Sequence, residues 1–137
     1  MAHGPVLFIE DDPDFSLAIG MRLKHYGIDI SSAFSGTEGF WKAVCEHPAV
    51  IVSDLSMPDG DGQYLLGKVK NHPLTRDIPF IVLTGRHELG LERHLRALGA
   101  AAYLRKPLVL SELLAALRPH IPIKAPIERS PCYGGTS

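Results

Sequence analysis

The stretch Ala49-Val50-Ile51-Val52-Ser53-Asp54-Leu55-Ser56-Met57-Pro58-Asp59-Gly60-Asp61-Gly62 decides how this chain folds. Its first half is apolar and β-branched, shorter than a typical helix, and closed by a Pro/Gly/Asp cluster. It therefore reads as a strand buried on both faces of a parallel sheet. The last residue of that strand is a carboxylate, Asp54, delivered to the carboxyl edge, where open α/β sheets bind ligands. Three other runs end in reactive side chains: Val6-Leu7-Phe8-Ile9 enters Glu10-Asp11-Asp12, Ile81-Val82-Leu83 enters Thr84, and Ala102-Tyr103-Leu104 leads to Lys106. An acidic cluster, a lone Asp, a hydroxyl and an ammonium are expected to gather on one rim.

Outward from that strand, the elements alternate. Strands are expected over about 5–10, 28–33, 49–54, 79–83 and 101–104. Helices are expected over about 13–26, 36–47, 62–71 and 88–98, with a fifth starting after Ser111 and fading near Pro119. Asp12-Pro13-Asp14 opens the first helix, since Pro is tolerated in a first turn; Gly27, Pro48, Pro73 and Gly99 mark helix ends. Five β–α pairs with short connections imply a parallel sheet with helices on both faces. Residues 1–121 are expected to form one domain, and 122–137, which lack any period, a linker or disordered tail.

Composition narrows the class. A chain of 137 residues can bury one core without staples. With 14 Lys+Arg against 15 Asp+Glu, it has no basic excess for direct nucleic-acid binding. Cys45 and Cys132 make no disulfide framework, which fits a reduced cytoplasmic compartment. No apolar run approaches the ~20 residues that span a bilayer, and Met1–Pro5 carries no signal-peptide core. The expectation is a cytoplasmic domain with no membrane contact.

The rim residues suggest chemistry. Glu10-Asp11-Asp12 would repel one another unless a cation offsets the charge, and oxygen ligands without His or Cys suit Mg²⁺. The simpler alternative is a solvated loop with Asp12 as the cap of the first helix. Asp54 could be only a turn former; as a functional group it would be a nucleophile toward phosphoryl groups. Such a reaction needs donors for the transferred oxygens, which Thr84 and Lys106 offer.

Taken together, Ile9-Glu10-Asp11, Val52-Ser53-Asp54-Leu55-Ser56-Met57-Pro58, Gly60-Asp61-Gly62, Leu83-Thr84-Gly85 and Tyr103-Leu104-Arg105-Lys106-Pro107 resemble the motifs of receiver domains of two-component response regulators, over residues 5 to about 121. The resemblance implies a flavodoxin-like, doubly wound, five-stranded parallel sheet of order 2-1-3-4-5 with five helices. It implies Asp54 as phospho-acceptor and Mg²⁺ as cofactor, held by Asp11, Asp54 and the backbone carbonyl of Ser56. Glu10 would be an outer acidic partner, and Asp12 could substitute if the register slips by one. Thr84 and Tyr103 match switch residues, Lys106 matches a phosphate-binding Lys, and the Lys106–Pro107 bond is usually cis in that family.

The implied partner is a histidine kinase or histidine phosphotransfer protein, with a weak homodimer as a second association. Ala100-Ala101-Ala102 after Gly99 departs from the acidic pattern that one family dimer uses. On the first helix, Phe15, Ala18, Ile19, Leu23 and Tyr26 should face the sheet. That leaves Leu17 and Met21 outward with Gly20 between them, and with Pro107 and Leu108 they form the expected docking face. The domain would assist its own phosphorylation and dephosphorylation without being a turnover enzyme. Two other readings use the same residues: a phosphorylation-independent docking module of this fold, and a haloacid-dehalogenase-type phosphatase. The phosphatase needs a second Asp where Ser56 stands.

Overall fold

A computed structural model describes residues 5–57 and 62–125. The strands are β1 (Val6–Ile9), β2 (Ile30–Ala33), β3 (Val50–Asp54), β4 (Phe80–Thr84) and β5 (Ala102–Arg105). The helices are α1 (Pro13–Lys24), α2 (Gly36–Glu46), α3 (Gly62–Asn71), α4 (Leu91–Ala97) and α5 (Leu110–Leu117). All strand pairs are parallel, in the order β2-β1-β3-β4-β5. Both the sheet order and the flavodoxin-like architecture agree with the expectation from sequence.

The central strands β1, β3 and β4 are buried at every residue, as runs of Val, Ile, Leu and Phe covered on both faces must be. Two hydrophobic clusters result, one on each side of the sheet. One joins Leu7, Ile9, Ile51, Phe80 and Val82 to Phe40, Leu66 and Leu95 of α2, α3 and α4. The other joins Val6, Phe8, Val52, Ile81 and Leu83 to Ile19 and Leu23 of α1 and Leu113 and Leu117 of α5. The packed unit continues past residue 121: Ile123 packs on the second cluster and the Lys124 N–H donates to the Tyr26 carbonyl at 2.9 Å.

Several expectations need correction. Helix α4 begins at Leu91 rather than near residue 88, because Gly90 takes a left-handed conformation (φ 81°) that breaks the chain's path into the helix. Helix α5 begins at Leu110, so Ser111 lies in its first turn; Val109 is the N-cap and makes no side-chain cap bond. Burial of Leu113, Leu114 and Leu117 sets the phase of that helix more strongly than a cap does. On α1 the inward position expected of Ala18 belongs instead to Ser16, which is buried with its hydroxyl 2.9 Å from that of Ser32 on β2. Gly20 is not outward either; a Cβ there would sit 2.9 Å from Ile30 Cδ1. Residues 58–61, the expected loop before α3, and 126–137, most of the expected tail, lie outside the described residues.

Candidate functional site

Register builds the site. Ile9 pairs with Ser53, so the next residue on each strand, Glu10 and Asp54, arrives at the same edge. Asp54 in turn pairs with Leu83, which brings Thr84 to the neighbouring strand end, and Thr84 pairs with Arg105, the residue before Lys106. Adjacent parallel strands lie about 4.8 Å apart, so four side chains from distant parts of the chain are forced together.

The carboxylates of Glu10, Asp11 and Asp54 each offer an oxygen within 4.8 Å of the others. Asp11 is exposed, whereas Glu10 and Asp54 are only 2% and 5% exposed. Lys106 Nζ reaches both buried acids, 3.3 Å from Asp54 Oδ2 and 3.3 Å from Glu10 Oε1. The second oxygen of Glu10 accepts from the Asp12 N–H at 3.2 Å. Asp54 Oδ1 accepts from the Ser56 N–H at 3.2 Å. Asp12 is the N-cap of α1, with Oδ1 accepting from the Asp14 and Phe15 N–H groups, so its side chain is engaged in the helix.

Electrostatics follow from this packing. Burial raises the Glu10 carboxyl above the usual carboxylate range; the charge of Asp54 and a hydrogen bond with Asp11 add to the rise, while the Asp12 N–H and Lys106 oppose it. Burial alone would lower the Lys106 ammonium, but Asp54 and Glu10 outweigh it and raise its pKa. Three clustered carboxylates with one ammonium leave a negative site of oxygen donors, the donor set of a hard divalent cation. The residues present therefore fit Mg²⁺.

The other half of the rim is neutral. Thr84 is fully buried, and its Oγ1 accepts from the Arg86 N–H at 2.9 Å. The Tyr103 hydroxyl donates to the Arg86 carbonyl at 3.3 Å. One residue's backbone thus joins both side chains, a link that no residue in the sequence signals. The Lys106–Pro107 peptide is cis. Gly62 closes the floor: a Cβ there would lie 2.5 Å from the Asp54 carbonyl oxygen, so only glycine lets α3 start so near β3.

The family model of the response regulator receiver domain matches residues 6–118. The chain belongs to that family. PilG of Pseudomonas aeruginosa is 30% identical over 123 residues, covering 90% of this chain and 91% of that protein. A probable chemotaxis protein CheY of Rhizobium etli is 32% identical over 114 residues, covering 82% and 88% of the two chains. The chain spans about half the length of the transcriptional regulators it matches, for example 47% of RpaA of Synechocystis, at 33% identity and 82% of this chain. Among solved structures, Vibrio cholerae CheY4 superposes with a TM-score of 0.79 at 26% identity, covering 88% of this chain and all of that one. As a receiver domain, the protein is a phospho-acceptor signalling module of two-component systems. Receiver domains work with histidine kinases or phosphotransfer proteins and typically bind Mg²⁺ through acidic residues.

Around this rim, the residues expected from sequence to form a docking face differ in exposure. Leu17 and Met21 are 64% and 62% exposed, Pro107 is exposed and Leu108 is half-buried against the second cluster. Phe15, at the start of the same helix, lies under Lys106, whose Nζ is 5.5 Å from the ring centre. Among the described residues no helix is long and apolar enough to cross a membrane.

Proposed function

We propose that Asp54 is the residue that receives the phosphoryl group, from a phosphohistidine on a histidine kinase or phosphotransfer protein. The supporting observation is the convergence of Asp54, Glu10 and Asp11 on one edge with Lys106 bridging the two buried acids. An Asp54 carboxylate oxygen forms the new P–O bond as the P–N bond to the donor histidine breaks, and the imidazole leaves with the electron pair. Asp11, Asp54 and the Ser56 carbonyl would hold Mg²⁺, with Glu10 behind them. The ion would supply positive charge to the phosphoryl oxygens during transfer. Lys106 and Thr84 supply the remaining donors, as transfer with little covalent help from the protein requires.

Read-out follows from the neutral half. Drawing the Thr84 hydroxyl toward phosphoryl oxygens releases the Arg86 N–H, and the loop that Tyr103 holds is then free to shift. The protein is an acceptor that assists gain and loss of its own phosphoryl group, not a turnover enzyme, and acts in the cytoplasm, where the exposed Cys45 thiol stays reduced.

The experiment is phosphate incorporation from a phosphorylated donor protein and from acetyl phosphate. Asp54→Asn should abolish both while keeping the fold, and equal labelling of mutant and native protein would remove Asp54 from its role. Leu17→Glu with Met21→Glu should slow transfer from the protein donor about tenfold and spare acetyl phosphate, if the outer face of α1 and Leu108 receive the donor. Unchanged transfer from both donors would place the docking face elsewhere.

A further inference from the structure

Away from the rim, where α2 meets α3, an open and mostly apolar groove of about 460 Å³ is lined by Phe40, Tyr64, Gly67, Lys68, Asn71 and His72. Phe40 forms its floor, with Trp41 set edge-on at 5.3 Å and His72 at 5.6 Å. Trp41 and Tyr64 stand 57% and 65% exposed beside it. None of these residues serves the phospho-acceptor site.

Two features indicate what the groove would take. Gly67 sits inside α3, where glycine is less favourable than alanine. Nothing in the fold calls for it: a Cβ would meet no atom within 4 Å, whereas one at Gly62 would strike the Asp54 carbonyl. Its effect is to leave the groove open. The second feature is the charge of Lys68. Its Nζ lies 4.3 Å from the centre of the Phe40 ring and 5.7 Å from that of Tyr64, with no carboxylate partner among the described residues. Helix α3, Gly62–Asn71, contains no acid, and Glu38 on α2 is held by the Phe34 N–H and Lys42. Among the described residues, a carboxylate could therefore meet Lys68 without breaking an ion pair, beside its contacts with the Phe40 and Tyr64 rings.

We propose that this groove is a docking site for a partner protein's helix that presents an aliphatic side chain beside a carboxylate. The aliphatic group fills the space above Gly67 against Phe40, and the carboxylate meets Lys68, the arrangement of a helix laid in an apolar groove. A second copy of this chain fits less well, because two-fold pairing of the face would bring Lys68 toward Lys68 with no acid on α3 to separate them.

The test uses the full 137-residue chain, labelled for NMR. The probes are a blocked helical peptide with Leu at i and i+4 flanked by Glu, and the same peptide with Lys for each Glu. Saturable shifts are expected at the Trp41 indole N–H, the chain's only tryptophan, and at the Gly67 amide, with the Lys peptide about fivefold weaker. Gly67→Ala should raise the melting temperature by a few degrees and yet abolish the shifts, separating the groove from stability. Lys68→Met should erase the preference for the Glu peptide. The proposal fails if neither peptide binds, if both bind alike, or if Gly67→Ala binds normally. Shifts that track protein concentration without peptide would assign the groove to self-association instead.

Discussion

The two halves of the rim are held by different forces. At the β1–β3 end, Glu10 and Asp54 are buried charges bridged by Lys106, with Asp11 exposed beside them. At the β4–β5 end, Thr84 and Tyr103 are neutral and bound to the two sides of Arg86's backbone. Charge buried in low dielectric is costly to disturb, while a neutral hydrogen bond contributes about 1 kcal/mol net. On the function proposed above, the contrast separates tasks: the charged half would fix where chemistry occurs, and the neutral half would move at small cost once that chemistry is complete.

Removing the cation should have the largest effect. Lys106→Ala leaves two buried carboxylates facing each other; with the lysine side chain one-third exposed, the loss of stability should be about 1–2 kcal/mol without metal. Urea denaturation checks this, and added Mg²⁺ should recover part of the loss by replacing the missing charge. In the native protein, Mg²⁺ at about ten times its dissociation constant should add about 1.4 kcal/mol, and Asp11→Ala should lose that response. A mutant that responds as strongly as the native domain would place the cation elsewhere.

Glu10 gives the next effect through pH. Its folded pKa is raised, so between the ordinary carboxylate value and the raised one the native state binds more protons than the unfolded state. This contribution is fully present below the unfolded pKa and is lost as pH rises through the folded pKa. Glu10→Gln, which mimics the protonated acid, should match the native protein at low pH and gain relative stability as pH rises through that window. A stability difference that stays flat with pH would mean that Glu10 is not held in this way.

The neutral half should yield the smallest change. Tyr103→Phe deletes one partly exposed hydrogen bond and should cost about 0.5 kcal/mol or less. Faster hydrogen exchange in the 85–90 loop would accompany it. A loss comparable with that of Lys106→Ala would erase the distinction between the two halves.

Most of the rim was legible because each of its side chains follows an apolar run, and strand ends in a parallel sheet share an edge. The sequence alone therefore puts Asp54, Glu10, Asp11, Thr84 and Lys106 on one edge. The Arg86 link was not, since a backbone N–H and carbonyl have no sequence signature. Ser16 was missed because periodicity ranks a hydroxyl as exterior, although a partner on β2 makes its burial affordable. The start of α4 was misplaced because Glu88-Leu89 reads as helix-forming and a glycine's left-handed turn shows only in the backbone. Gly67 gave no signal as part of a groove, for an empty space leaves no residue to read.

The bridge from Lys106 to Glu10 joins residues 96 positions apart. On the ribosome, the first strand and its acids emerge long before the fifth strand brings their counter-charge. Until then the acids at the rim lack the ammonium that bridges them. The two buried acids thus gain their counter-charge only when the last strand joins the sheet, and on the function proposed above the acceptor site is complete only then.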